Sequence, residues 1–107
     1  MCGIAGFVKL RQSSYGVAEL RRMTDVISHR GPDGQGAYQD DLAFLGHRRF
    51  SIIDVAGGHQ PMSNETGSVW LTYNGEIFNH ADLRPPLEQA GHAYKTRCDT
   101  ETIIHAY

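Results

Sequence analysis

A thiol follows the first methionine directly, because the chain opens Met1-Cys2-Gly3-Ile4-Ala5-Gly6-Phe7. If Met1 is removed, Cys2 carries both a nucleophile and an α-amine, and the amine can take the thiol proton directly or through one water. The alternative is a cysteine on a disordered chain end. The glycines leave room beside the thiol, and the apolar residues that follow predict an anchoring strand over 4–10.

Three basic or titratable residues, His47-Arg48-Arg49, enter an apolar strand. Strand alternation places Arg48 and Arg49 on opposite faces, so one guanidinium should point inward. An inward guanidinium needs an anion, and a substrate carboxylate would satisfy it through a bidentate contact. A structural ion pair with Asp54 or Asp33 is the alternative.

Asn74-Gly75 follows a predicted strand over 68–73. Asn-Gly is typical of a hairpin turn. Here it lies between an apolar strand and the start of a predicted helix, where the Asn amide and the Gly N–H can point at one spot. Two such donors can form an oxyanion hole.

Other polar residues are interpreted as supporting groups. His29 and Arg30 precede the turn Gly31-Pro32-Asp33-Gly34, and they belong either to an ordinary surface loop or to a brace for a neighbouring site. None of the six histidines pairs with another in a metal-ligand motif, so no metal site is predicted. His47 and His59 are expected to be structural.

The remaining pattern predicts the elements that must position these residues. An amphipathic helix is expected over 17–28, with Val17, Leu20, Met23 and Ile27 on its buried face and Met23 as core filler. Pro85 and Pro86 restrict the next helix to a start near 82–85 and an end at Gly91. The other predictions are a hairpin of 36–38 and 42–46 around Asp40-Asp41, strands over 49–53 and 92–97, and a helix beginning at Asp99-Thr100-Glu101.

Composition limits the class of protein. The chain has 107 residues, 40% of them hydrophobic, and a net charge of −2. These values fit one globular domain and provide no basic patch for nucleic acid. No apolar run could span a membrane and no signal peptide is present, so we expect a cytoplasmic protein with reduced cysteines. The final helix stops soon after it starts, which indicates the front portion of a longer protein.

Taken together, these motifs resemble the glutamine amidotransferase domain at the front of glutamine-hydrolysing asparagine synthetases, a branch of the N-terminal nucleophile hydrolases. The resemblance covers nearly the whole chain. Its motifs are Met-Cys-Gly-Ile-Ala-Gly at 1–6, His-Arg-Gly-Pro-Asp-Gly at 29–34, Gly-His-Arg-Arg-Phe-Ser-Ile-Ile-Asp at 46–54, Gly-Gly-His-Gln-Pro-Met at 57–62, Tyr-Asn-Gly-Glu-Ile-Phe-Asn at 73–79 and Asp-Thr-Glu at 99–101.

The resemblance implies a role at each of seven positions. Cys2 would be the nucleophile and its amine the base, while Arg49 would hold the α-carboxylate of L-glutamine and Asp99 its α-ammonium group. The oxyanion would be held by Asn74 and Gly75, and the pocket lined by Ile52 and Glu76. Cys98, where the family often has serine, is expected to be a buried, inert residue near the ammonium site.

The resemblance also implies a fold and partners. The fold is α+β, a four-layer αββα sandwich of antiparallel sheets, of which residues 1–107 supply the N-terminal part of one amidotransferase domain. No cofactor is expected in this segment. ATP and Mg²⁺ belong to the synthetase domain of full-length relatives, and a homodimer is the assembly considered. The alternatives are a non-catalytic glutamine-binding module and an amidotransferase serving another acceptor.

Overall fold

The computed structural model describes residues 2–50 and 57–107. The elements in chain order are β1 (Gly3–Val8), α1 (Val17–Val26), a 3-10 turn (Ser28–Arg30), β2 (Gly34–Gln39), β3 (Ala43–Arg49), β4 (Met62–Ser63), β5 (Trp70–Leu71), α2 (His80–Gln89) and α3 (Thr100–Ala106). This mixture of antiparallel strands and three α-helices agrees with the α+β class. Within these ranges, none of the helices combines the length and the apolar character of a membrane span.

The larger sheet has the strand order β1-β3-β2, with β3 antiparallel to both neighbours. The predicted hairpin is confirmed and is longer than predicted. Asp40 organises its turn, because one carboxylate oxygen accepts the backbone N–H groups of Leu42 and Ala43 at 2.8 and 2.6 Å. The long β3 strand therefore forms the centre of the sheet, and its last residue is Arg49.

Helix α1 covers one face of this sheet through Leu20 and Thr24, both buried. A Cβ atom added to Gly46 would collide with the Thr24 methyl group, so the glycine allows the helix to approach β3 closely. The predicted role of Met23 as core filler is wrong, since Met23 is 38% exposed. Thr24 takes the inward position, and its hydroxyl can be buried there because its one proton lies within reach of the Leu20 and Arg21 carbonyls.

Arg48 and Arg49 lie on opposite faces of β3, as strand alternation predicts. The Arg48 guanidinium bonds to Asp25 and to the Thr24 carbonyl on the α1 side. Arg49, 8% exposed, lies on the other face. The separate strand predicted over 49–53 is corrected at its start, because Arg49 ends β3; residues 51–53 lie outside the described part of the chain.

The strand predicted over 68–73 is reduced to Trp70–Leu71, which pairs with Met62–Ser63. On either side of this strand, backbone N–H groups donate to side-chain oxygens. The Asn64 amide oxygen accepts the N–H groups of Ser68 and Val69, and Gln60 Oε1 accepts the Tyr73 N–H at 2.6 Å. These contacts replace strand pairing and end the ladder.

The predicted start of the second helix near 82–85 is corrected. Helix α2 begins at His80 and contains both prolines in its interior. Proline removes an N–H donor from a helix, which leaves carbonyls of the preceding turn without their usual partner. The helix has no buried residue, so those carbonyls can be hydrated. Arg84 holds the helix in place by donating to the Thr96 carbonyl at 3.0 Å and lying 4.4 Å from the centre of the Tyr94 ring.

The strand predicted over 92–97 is wrong, because this segment forms no ladder in the described structure. Three of its backbone N–H groups donate to carboxylates instead of to a neighbouring strand. Glu65 accepts the Ala93 N–H at 3.0 Å, and Glu101 accepts the N–H groups of Lys95 and Thr96 at 2.6 and 2.9 Å. The helix predicted after Asp99 is present as α3, and its buried residues pack beside this segment.

Candidate active site

Cys2 lies directly before β1 and is half-buried. Its sulfur accepts the backbone N–H of Phe50 at 3.3 Å and lies 3.7 Å from the Phe50 carbonyl oxygen. Gly3 pairs with Arg48 in the antiparallel ladder of β1 and β3. Cys2, one residue earlier, therefore lies at the end of β3, next to Arg49. The chain end is thus anchored on the central strand, as the apolar residues after Cys2 predict.

The Arg49 guanidinium reaches Gly58, a buried glycine with a φ of +68°. A Cβ atom placed on Gly58 would lie 3.5 Å from Arg49 Nη2 and 3.1 Å from the Cys98 sulfur. The absence of a side chain at Gly58 therefore leaves room for the guanidinium and Cys98 to lie close together. This geometry, together with the positive φ, restricts the position to glycine.

Asp99 follows Cys98 at the start of α3, and both of its carboxylate oxygens have a partner. Oδ2 accepts the Ile77 N–H at 2.7 Å, and Oδ1 lies 3.6 Å from the Cys98 sulfur. The expectation that Cys98 is buried is corrected, because the residue is half-buried; its expected inertness stays a prediction. Its predicted position near Asp99 is confirmed.

The segment 73–77 carries Asn74, Gly75 and Glu76, all exposed. It is held at both ends, since the Tyr73 N–H donates to Gln60 and the Ile77 N–H donates to Asp99. Gly75 lies against the Tyr73 ring, where a Cβ atom would collide with the phenol group. Among the described residues, the hydrogen bonds of Cys2 run to Phe50 and not to Asn74 or Gly75.

A cavity of about 340 Å³ opens beside Arg49, lined by Asp33, Gly34, Gln35, His47, Arg49, His59 and Gln60. Its lining includes His59 and Gln60 of the 57–62 motif, which strand patterns alone did not place near Arg49. Asp33 lies at the same cavity and donates its backbone N–H to the Arg49 carbonyl at 3.0 Å. The predicted ion pair between the Asp33 and Arg49 side chains stays a prediction, and Asp54 lies outside the described residues.

His47 is a residue at this cavity that the sequence identified only as structural. It is 1% exposed, and its Nδ1 atom lies 2.9 Å from the Thr72 hydroxyl. Burial, aided by the charge of Arg49, lowers the pKa of His47 from 6.5 to about 4. The imidazole is therefore neutral at pH 7, and it links β3 to the segment after β5.

Ile52 and Glu76 complete the seven predicted positions. Ile52 lies outside the described residues, and Glu76 is exposed between Gly75 and Ile77. The structure thus brings Arg49 close to Cys98, which in turn contacts Asp99. A hydrogen bond from the Ile77 N–H connects Asp99 to the segment that carries Asn74 and Gly75. The roles of all seven positions stay predictions.

One cluster of residues with side chains of the metal-ligating types was not found from the sequence, because its members are far apart in the chain. Folding places ligand atoms of Glu65, His92 and His105 within 4.8 Å of one another. None of the three lines the cavity at Arg49. No local ligand motif connects them, so only the tertiary structure could identify the group.

Comparison with known proteins identifies the family. Asparagine synthetase (glutamine-hydrolyzing) 1 of Bacillus subtilis (strain 168) is 40% identical over 110 residues, and asparagine synthetase (glutamine-hydrolyzing) of Asparagus officinalis is 43% identical over 111 residues. These alignments cover 100% of this chain but only 17% and 18% of the two relatives. The chain therefore spans less than a fifth of their length. A family model for the glutamine amidotransferase domain matches residues 1–107, and the chain belongs to the glutamine amidotransferase domain family.

Proposed function

We propose that this chain is the glutaminase portion of a glutamine-hydrolysing asparagine synthetase, which converts L-glutamine to glutamate and ammonia. The observation that carries the proposal is the arrangement at Gly58. The Arg49 guanidinium and the Cys98 thiol, which contacts the Asp99 carboxylate, both lie next to the position that a Gly58 side chain would occupy. The Cys2 sulfur accepts a hydrogen bond from the backbone N–H of Phe50, the residue directly after Arg49.

The two charged side chains match the two charged ends of an amino acid. The Arg49 guanidinium binds the α-carboxylate through paired N–H donors, and Asp99 binds the α-ammonium group. Asp99 already accepts one backbone N–H, but a carboxylate has about four acceptor positions and retains capacity for the ligand. This pairing selects an amino acid over a simple amide.

The chemical step uses the first residue of the processed chain. After removal of Met1, the Cys2 α-amine takes the thiol proton, and the thiolate attacks the side-chain amide carbon of glutamine. The Asn74 amide and the Gly75 N–H donate to the resulting oxyanion, while Ile52 and Glu76 line the pocket. Ammonia leaves with a proton from the amine, and water hydrolyses the thioester to release glutamate.

The wider setting is part of the same proposal. The domain adopts the four-layer αββα sandwich of the N-terminal nucleophile hydrolases, and residues 1–107 form its N-terminal part. Ammonia passes to a synthetase domain of the same chain, which uses ATP and Mg²⁺ to make asparagine from aspartate. We place the protein in the cytoplasm, without nucleic-acid or membrane partners and with a homodimer as its assembly.

Labelling with a glutamine-like diazo ketone tests the site. Intact mass before and after treatment near neutral pH should show loss of Met1 and one adduct, located on Cys2 and prevented by excess glutamine. The Cys98→Ser variant should label to the same extent, and Cys2→Ser should not label. Adducts shared equally between the two cysteines, or adducts that glutamine does not prevent, would overturn the proposal.

Product measurements separate the alternatives. Release of glutamate and ammonia supports the enzyme, whereas labelling and glutamine binding without glutamate release identify a binding module. Conversion of aspartate to asparagine by the full-length protein with ATP and Mg²⁺ tests the acceptor. Glutaminase activity without asparagine formation would indicate an amidotransferase that serves another acceptor.

A further inference from the structure

We propose that Glu65, His92 and His105 form a binding site for one divalent transition-metal ion of the zinc class. The site is independent of the proposed glutamine chemistry. Its three residues come from separate parts of the chain: the turn between β4 and β5, the segment after α2, and α3. One carboxylate and two imidazoles are a donor set that zinc-class ions bind in proteins.

Two of the distances between donor atoms are slightly shorter than those around such an ion. Glu65 Oε1 lies 3.1 Å from His92 Nδ1 and 2.9 Å from His105 Nδ1. Ligand bonds of about 2.0–2.2 Å in a tetrahedral site place donor atoms about 3.3–3.6 Å apart. Small side-chain movements would therefore open the centre of the cluster to an ion and leave a fourth position for water.

The orientation of His105 provides a second, independent observation. Its side chain is 1% exposed, and its Nε2 atom lies 3.2 Å from Glu101 Oε1. A carboxylate only accepts hydrogen bonds, so Nε2 donates; in the tautomer that carries its proton on Nε2 alone, the Nδ1 lone pair faces Glu65. Among the described residues, this buried Nδ1 has no partner with hydrogen-bond geometry, although Glu65 Oε1 lies at ion-pair distance.

A lone pair facing a carboxylate oxygen at 2.9 Å needs a positive charge between them. A proton on Nδ1 could supply this charge, but the cluster contains a third donor, His92 Nδ1, directed at the same oxygen. A metal ion satisfies all three donors together. The contact from Glu101 to His105 Nε2 also matches the carboxylate that commonly orients a metal-binding histidine.

The surrounding contacts hold the donors in place. Glu101 is fixed by the Lys95 and Thr96 N–H groups and by the Thr96 hydroxyl. The Tyr94 ring packs against the His105 imidazole with centroids 4.5 Å apart. Because α3 begins directly after Asp99, an ion at this cluster would join the β4-β5 turn to the helix that positions Asp99.

Titration with Co²⁺, a spectroscopic probe for zinc sites, tests the proposal. The protein should carry no polyhistidine tag, and Cys2 and Cys98 should first be alkylated because thiols bind the same ions. We expect one Co²⁺ per chain, visible absorption bands of a four- or five-coordinate site, displacement by Zn²⁺, and a higher melting temperature with either ion. Lowering the pH should weaken binding, since protons compete for both imidazoles.

Two conservative variants and one control make the result decisive. Glu65→Gln keeps an acceptor for the Ala93 N–H, and His92→Gln changes a partly exposed ring, so both should fold, as circular dichroism will verify. Each should weaken Co²⁺ binding at least tenfold, whereas His80→Gln at the start of α2 should not. Absence of binding by the parent protein, or equal affinity of the parent and both cluster variants, would overturn the proposal.

Discussion

The Asp99 carboxylate accepts the backbone N–H of Ile77 at 2.7 Å, and this bond ties the residue before α3 to the segment that carries Asn74 and Gly75. The two groups proposed to bind the ammonium end of glutamine and its oxyanion are therefore mechanically connected. The Gln60 contact to the Tyr73 N–H holds the other end of the segment. Changes at Asp99 should consequently affect both binding and positioning.

Replacing Asp99 with asparagine removes the negative charge but keeps an oxygen that can accept the Ile77 N–H. Hydrogen bonds to charged groups contribute about 1.5–3 kcal/mol, so we expect KM for glutamine to rise roughly 10- to 100-fold, with a smaller change in kcat. Steady-state glutamate release measures both constants. Asp41→Asn, in the exposed hairpin turn, is the control. An unchanged KM in Asp99→Asn would exclude the proposed ammonium contact.

Replacing Asn74 with alanine should lower kcat by about 10²–10³-fold, because it removes one of two proposed oxyanion donors. The side chain is exposed, so the melting temperature should hardly change. Asn79→Ala, at the start of α2, provides a matched control because no side-chain capping bond forms there. Equal kcat values for Asn74→Ala and the parent protein would remove Asn74 from the oxyanion site.

Acid should destabilise the fold through His47. Its folded pKa is about 4 and its ordinary value 6.5, so between these values the unfolded chain binds the proton more readily. The contribution of His47 to stability is therefore complete above pH 6.5 and is lost as the pH falls toward 4, by at most about 1.4 kcal/mol per pH unit.

Urea unfolding at pH 6.5 and pH 5.0 measures this effect. His47→Asn keeps a polar group near the Thr72 hydroxyl but cannot titrate, so its stability should change less between the two pH values. Glu65 does not titrate between these two pH values. Hydrogen bonds lower the pKa of Glu65 to about 2, and the largest contribution comes from its own backbone N–H. His29→Asn, an exposed control, should retain the parent pH dependence. The same dependence in His47→Asn would contradict the assignment.

Replacing Gly46 with alanine should destabilise the protein by about 1–3 kcal/mol, because the added methyl group collides with Thr24 where α1 contacts β3. Chemical denaturation measures the loss. Gly34→Ala is the matched strand control, since its nearest atom would be Arg49 Cβ at 3.9 Å. Combining Gly46→Ala with Thr24→Ser removes the colliding methyl group and should restore part of the stability. No restoration would show that the cost arises elsewhere.

Local patterns in the sequence determined several features of the protein. Alternation along β3 was enough to separate Arg48 from Arg49, because successive side chains of a strand point to opposite faces. The Asp40 turn followed from short-range turn chemistry. The helix after Asp99 was also predicted, but the expected side-chain cap is not formed, because the Asp99 carboxylate contacts Ile77 and Cys98 instead. The position of Cys2 and the ordered motifs were enough to indicate the family.

The tertiary structure decided which distant residues meet. Strand propensity could not reveal that the carboxylates of Glu65 and Glu101 take the backbone donors of the 92–97 segment. It could not place Cys98 beside Arg49 at Gly58, nor bring His92 and His105 to Glu65. These contacts join residues far apart in the chain, and they depend on how whole elements pack rather than on any local preference for helix, strand or turn.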